Sequence, residues 1–317
     1  MLIVDVQHPD DLNRKIRVGV LGSCRARDLL VNMYKSEEAT QAMGNSVPCE
    51  IVTYNFGIFT HTPRQAIQYY NFLKNRTDFM EEIQPLIFWK KLEDAQGQLK
   101  RYTAELLDSI ELLVVEASTL NNFTCDGMEV NASYVEQQFI KVGGKPLLNW
   151  WRAVTTEDGE ISQDIVNETI SALPSKGIPD NENVRFILNN LRKRVETKEE
   201  FYDALTDLTK MTDKPLVVVP HFDLTDAPIE KRHPLRSYIK EFSSDLGYGI
   251  FDSTDLIGQH GREVALAGEG SSICHYSHSF HHVLLNNFRP FLHDFYEQQR
   301  SSDSVSHSQD AQLKKAS

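Results

Sequence analysis

Cysteine is scarce in this chain: four of 317 residues, scattered at Cys24, Cys49, Cys125 and Cys274. With no CxxC pair and no zinc-like spacing, neither a disulfide framework nor a zinc ribbon is expected. A reduced, cytoplasmic protein with free thiols is the expectation. Long apolar runs are missing as well; none approaches the roughly 20 residues of a membrane span. The opening Met-Leu-Ile-Val-Asp-Val-Gln-His-Pro carries no basic n-region, so a secretory signal is not expected. Positive charge is in deficit, with 33 Lys and Arg against 45 Asp and Glu and a net charge of −12. That balance argues against nucleic acid or an anionic membrane as the main partner, while leaving room for a local basic pocket. No internal repeat is visible.

What the chain does have is apolar runs alternating with helical patterns. Strands are expected at residues 16–21, 48–54, 111–116, 215–219 and 249–252. Helices are expected over 25–37, from Thr62-Pro63 onward, over 234–246 and over 278–297. Thr62 suits an N-cap and Pro63 the first helical position. Residues 85–104 read as a hairpin excursion around Asp94-Ala95-Gln96-Gly97. Residues 130–210 read as a helix-rich insertion, with Val184, Ile187, Leu188, Leu191 and Val195 on one face. Pro290 should kink or split the last helix. From Ser301 the chain turns polar and reads as a disordered tail over 301–317.

Because the strands are continuous apolar runs, the pattern predicts a mainly parallel five-stranded sheet in a three-layer α/β/α domain. One domain over residues 1–300 is expected. Ligands of such sheets lie at the carboxyl ends of the strands.

The stretch Ile16-Arg-Val-Gly-Val-Leu-Gly-Ser-Cys-Arg-Ala-Arg-Asp-Leu-Leu30 leads a strand through Gly22, Ser23 and Cys24 into a helix. Such a turn holds one side chain above the sheet, where nucleophiles and phosphates are both placed. A thiol there feels the helix dipole, and Arg25 and Arg27 add positive charge. A base is available in Gly268-Glu-Gly-Ser-Ser-Ile-Cys-His-Tyr-Ser-His-Ser-Phe-His-His282. His275 precedes the last helix; His278, His281 and His282 fall at offsets of three and four along it. Oxyanion donors are expected from backbone N–H groups at Cys24 and Gly57 and from the amide of Asn121 or Asn122.

Taken in order, these motifs resemble the SGNH (GDSL-type) hydrolase superfamily, in the branch where Gly-Asp-Ser becomes Gly-Ser-Cys. That branch is similar to capsule-polysaccharide acetyltransferase-like proteins. The resemblance implies a flavodoxin-like sheet with Cys24 at the nucleophile position and Ser23 at the preceding aspartate. It places Gly57 and Asn121 (or Asn122 by register) at the second- and third-loop oxyanion positions and His275 at the terminal histidine. The family aspartate three residues before that histidine is Ser272 here, leaving Glu269 as a candidate to orient His275, or a Cys–His dyad without an acid.

The implied activity is acyl-ester chemistry, as an O-acyltransferase or esterase, on a sugar or polysaccharide precursor. No cofactor is required, and an acyl-CoA is a candidate donor. Two alternatives stand beside it. One is a non-catalytic module for a phosphorylated or nucleotide-like ligand. The other is a metal-dependent hydrolase using the histidine cluster, although no metal ligand set is assigned. Trp150 and Trp151 are expected either to shape an acceptor pocket or to be core.

Overall fold

A computed structural model describes all residues except 12, 35–48, 55–57, 90, 157–160, 179 and 317. The described strands are β1 (Leu2–Gln7), β2 (Lys15–Leu21), β3 (Cys49–Tyr54), β4 (Leu112–Ala117), β5 (Asn121–Cys125), β6 (Met128–Val130), β7 (Leu191–Val195), β8 (Leu216–Pro220) and β9 (Gly249–Ile250). Contacts group the chain into two compact units. One comprises Leu2–Tyr54, Asp108–Glu116 and Thr212–Ser317; the other comprises Met1, Asn55–Leu107 and Ala117–Met211.

The first unit carries a six-stranded sheet in the order β3-β1-β2-β4-β8-β9. β2 and β4 run parallel, as do β8 and β9. β1 is antiparallel to both of its neighbours, β2 and β3. The expected five strands are therefore present, and a sixth, β1, is wedged among them. Its run Leu2-Ile3-Val4-Asp5-Val6 is buried throughout, so the apolar opening of the chain is core. Asp5 is tolerated there because Arg17 and Lys15 bond its carboxylate at 2.7 and 2.8 Å. With β1 set aside, the order becomes 2-1-3-4-5, that of flavodoxin-like sheets. Its topological switch point lies between β2 and β4.

Every residue of β4 and β8 is buried, as expected of strands covered on both faces. Val18, Val20, Val114 and Val217 pack with Leu284, Leu285, Phe288 and Leu292 of the last helix. That helix, His281–Ala316, is not split at Pro290. The residues flanking the proline are tied down: Arg289 bonds the carbonyls of Gln7 and His8, and His293 that of Val6. The helix also continues through the stretch read as a disordered tail. Extending a packed helix adds one hydrogen bond per residue fixed.

The second unit contains the antiparallel sheet β6-β5-β7 and most of the helix-rich segment. Thr62 caps the helix Pro63–Asn75 by accepting the Gln65 N–H, with proline at its start. The expected hairpin over 85–104 is instead helical, at Gln84–Phe88 and Gln96–Leu99. Phe88 packs against Phe72 and Phe79, and Gln84 bridges the Phe79 carbonyl to the Leu92 N–H. The apolar face read from Val184 to Val195 also breaks. The helix ends at Asn190 and Leu191 opens β7, leaving Val195 43% exposed.

One face of this small sheet is polar and charged. Thr124 of β5 lies opposite Glu129 of β6, and Asn122 lies opposite Arg194 of β7. Glu196 follows β7 and is bonded by Arg64 at 2.5 Å. Burial, then the nearby Glu196 carboxylate, pushes Glu129 up to about 7. A carboxyl raised in the folded state adds stability below its unfolded value near 4.5, and that stability is lost as pH rises toward 7. The shift corresponds to something on the order of 3 kcal/mol. Urea unfolding at pH 5 and pH 8 should therefore show Glu129→Gln losing less stability across that interval than wild type. An identical loss in both would contradict it.

Candidate active site

β2 ends at Leu21 and the chain turns at once through Gly22, Ser23, Cys24 and Arg25. The turn is built around Glu116, the penultimate residue of β4. Glu116 is fully buried, and Arg25 is 5% exposed. The Glu116 carboxylate accepts the Ser23 N–H at 2.7 Å and the Ser23 hydroxyl at 2.7 and 2.9 Å. It also accepts Arg25 Nε at 3.0 Å and pairs with Arg25 Nη2 at 2.8 Å. Gly22 is required by the closeness of this packing. A Cβ there would meet the Ala26 Cβ at 2.8 Å and the Glu116 Cβ at 3.0 Å. The helix Arg27–Tyr34 follows, with the Arg27 N–H bonded to the Ser23 carbonyl at 2.9 Å.

Cys24 is partly exposed, and its Sγ lies 3.8 Å from the Cys274 carbonyl. The Arg25 Nη1 is 3.9 Å from that Sγ and bonds the same carbonyl at 3.2 Å. Burial pushes the Arg25 guanidinium down, but the Glu116 carboxylate, together with Cys24, Tyr276 and Cys274, holds Arg25 above its ordinary value. Cys24 therefore sits beside a permanent positive charge, a setting that favours thiolate. Cys49 and Cys125 differ. Burial pushes Cys49 up to about 11 and Cys125 up to about 12, which leaves both inert.

The loop facing Cys24 is tightly organised. Leu266 bridges to Tyr276, and the Ala267 N–H bonds the His275 carbonyl. Ser272 Oγ accepts the N–H groups of Cys274 and His275 at 3.3 and 3.0 Å. Ser272, at the position of the expected aspartate, is thus a turn cap. Glu269 is exposed and has φ of 53°, between the left-handed Gly268 and Gly270. Glu269 serves to turn the chain, and among the described residues its carboxylate bonds nothing. His275 is exposed at the end of this loop, one residue beyond the carbonyl that meets Cys24.

The structure thus brings together Ser23, Cys24, Arg25 and the Cys274–His275 segment. Gly57 lies outside the described residues. Asn121 and Asn122 belong to the other unit: Asn121 begins β5 exposed, and Asn122 is wholly buried beside Glu196. Arg27 is buried at the helix start. Trp150 and Trp151 are buried in the second unit, where their indole N–H groups bond the Leu188 carbonyl and Glu136; that is a core role. His278 lies before the last helix, not on it. Among the described residues no group of three or more His, Cys, Asp or Glu is placed to hold a metal.

Sequence reasoning passed over Glu116, His221 and Arg232. Glu116 was signalled by a charged residue ending an apolar strand. His221 was signalled by its place directly after β8. It is buried, and burial first, then Arg25 and Arg232, pushes it down to about 2. Its Nδ1 meets the Phe222 carbonyl at 3.1 Å and its Nε2 meets Arg232 Nη2 at 3.0 Å. Arg232 had no local signal. Beyond it, Arg236 joins the loops after β8 and β9 by bonding the His221 carbonyl, Asp252 and Thr254.

A family model described as the TviD N-terminal domain matches residues 16–289. No curated protein and no solved structure matches the chain. Removing one partner from a buried ion pair leaves an uncompensated charge, at a cost of about 3–5 kcal/mol. Glu116→Gln should lower unfolding stability by that order in denaturant titration, because Arg25 stays charged and buried. A loss under about 1 kcal/mol would show that Glu116 does not hold the turn.

Proposed function

The chain belongs to the TviD N-terminal domain family, and from that premise we propose that it performs SGNH-like acyl chemistry on a sugar or capsule-polysaccharide precursor. The observation that carries this reading is the locked Gly22-Ser23-Cys24 turn. It stands at the β2/β4 switch point, where such sheets bind ligands, with the Cys24 sulfur against the segment that ends in His275. The family's association with capsule-polysaccharide biosynthesis supports a carbohydrate acceptor.

In this reading Cys24 is the nucleophile. Its sulfur attacks the acyl carbonyl of an ester or of an acyl-CoA thioester, and a carbon–sulfur bond forms. The bond to the leaving alkoxide or thiolate breaks, and His275 returns the Cys24 proton to that leaving group. The Cys24 backbone N–H serves as an oxyanion donor. In the second half, His275 takes a proton from a sugar hydroxyl or from water as that oxygen attacks the thioester, and Cys24 is released. A sugar acceptor gives an O-acyltransferase; water gives an esterase. No cofactor is needed, since the donor carries the activated acyl group. A thiol beside Arg25 makes an acid partner for His275 dispensable, because the guanidinium already favours the anion.

One observation favours a non-catalytic binding module: among the described residues no carboxylate bonds His275. Steady-state turnover of acetyl-CoA and of an activated acetyl ester separates the two readings. Cys24→Ala should lower kcat/KM by about a thousandfold or more, and His275→Ala by about a hundredfold. Wild-type rates in Cys24→Ala would remove the thiol mechanism. An inert wild-type protein that binds the donor would support the binding module.

A further inference from the structure

We propose that Arg232, held by His221, is a positioning residue that fixes the Ile273–Cys274 backbone over the Cys24 turn and so sets the approach of His275. The inference rests on the reading of Cys24 as nucleophile and His275 as base.

His221 resembles a catalytic histidine in its place after β8, but its partners take it out of proton transfer. The Phe222 carbonyl can only accept, so Nδ1 carries the proton. The Arg232 guanidinium can only donate, so the Nε2 lone pair is already occupied. Buried between Arg25 and Arg232, the ring stays neutral at any working pH. What it does is hold Arg232. That guanidinium also donates to the Phe222 carbonyl at 2.7 Å and to the Ile273 carbonyl at 2.7 Å, and it lies 5.5 Å from the centre of the Phe222 ring.

The next carbonyl along, Cys274, is held by Arg25 at 3.2 Å. Two consecutive carbonyls are therefore gripped by two guanidiniums from different elements, and Ser272 Oγ takes the N–H groups of Cys274 and His275. The chain entering His275 is pinned on both sides, which leaves its position little freedom. Arg25 also clamps Glu116, so replacing it would disturb the turn itself. Arg232 bonds Phe222, His221 and Ile273, and its influence on the Cys24–His275 geometry runs through the loop.

The test measures the rate of Cys24 alkylation by iodoacetamide against pH, read by mass spectrometry, together with kcat and KM for an activated acetyl ester. In wild type the midpoint should lie below that of an ordinary thiol, and His275→Ala should raise it. Arg232→Met should raise the midpoint in the same direction. It should also lower kcat by about tenfold to a hundredfold with KM little changed, as expected of a small misplacement of reacting groups. Arg232→Lys keeps the charge but not the fork and should fall between; it also carries the test if Arg232→Met does not fold. His221→Gln keeps an acceptor for Arg232 and should lie nearer wild type than His221→Leu. If His275→Ala moves the midpoint and neither Arg232 variant moves midpoint or kcat, the positioning role is overturned alone. If His275→Ala moves neither, the Cys24–His275 reading fails, and this inference fails with it.

Discussion

The buried carboxylate of Glu116 is the contact on which the rest of the site depends. A charge removed from water is costly unless it is paired and hydrogen-bonded. Glu116 meets that demand with Arg25 and with both donors of Ser23. Satisfying it dictates a tight turn, which in turn requires Gly22. The turn fixes Cys24 next to Arg25 and against the Cys274 carbonyl. The same pairing ties β2 to β4 at their carboxyl ends, where a doubly wound sheet changes direction. One electrostatic requirement thereby orders the strand ends, the thiol and its local charge.

The neighbouring loops repeat this logic with guanidiniums. Arg25 and Arg232 take up carbonyls of the 273–274 segment, and Arg236 joins the loops after β8 and β9. Arginine suits such work because its planar fork spans several acceptors and stays charged when buried. An acidic chain with a net charge of −12 thus places buried guanidiniums around the Cys24 turn and the Cys274 segment. In the proposed mechanism that setting suits an anionic nucleophile and an anionic, activated donor.

Much of this was legible in the sequence. The continuous apolar runs announced β2, β4 and β8, and Thr62-Pro63 announced a helix start, because burial and capping are local requirements. Gly22-Ser23-Cys24 was readable for the same reason: a strand, a small-residue turn and a helical period are adjacent in the chain. β1 was obscured because an apolar opening segment reads equally as core or as an end, and only its pairing with β2 and β3 decides. Residues 85–104 looked like a hairpin because a Gly-containing turn between apolar runs has that form. Their helical state comes from the packing of Phe88 and the bridge made by Gln84. The partners of Cys24 were hidden by distance. Glu116 is 93 residues from Ser23, and the Ile273 carbonyl is 41 residues from Arg232. Glu269 was a candidate acid from outside the family spacing, but its left-handed backbone leaves it exposed.

In the proposed mechanism Cys24 carries the acyl group during turnover. The most direct measurement is mass spectrometry of the protein after rapid acid quenching of a reaction with acetyl-CoA. One acetyl group is expected on the peptide containing Cys24, formed at wild-type rate in a Cys274→Ser control and lost on addition of hydroxylamine. Turnover without any adduct on that peptide, or an adduct of equal yield in Cys24→Ala, would contradict it.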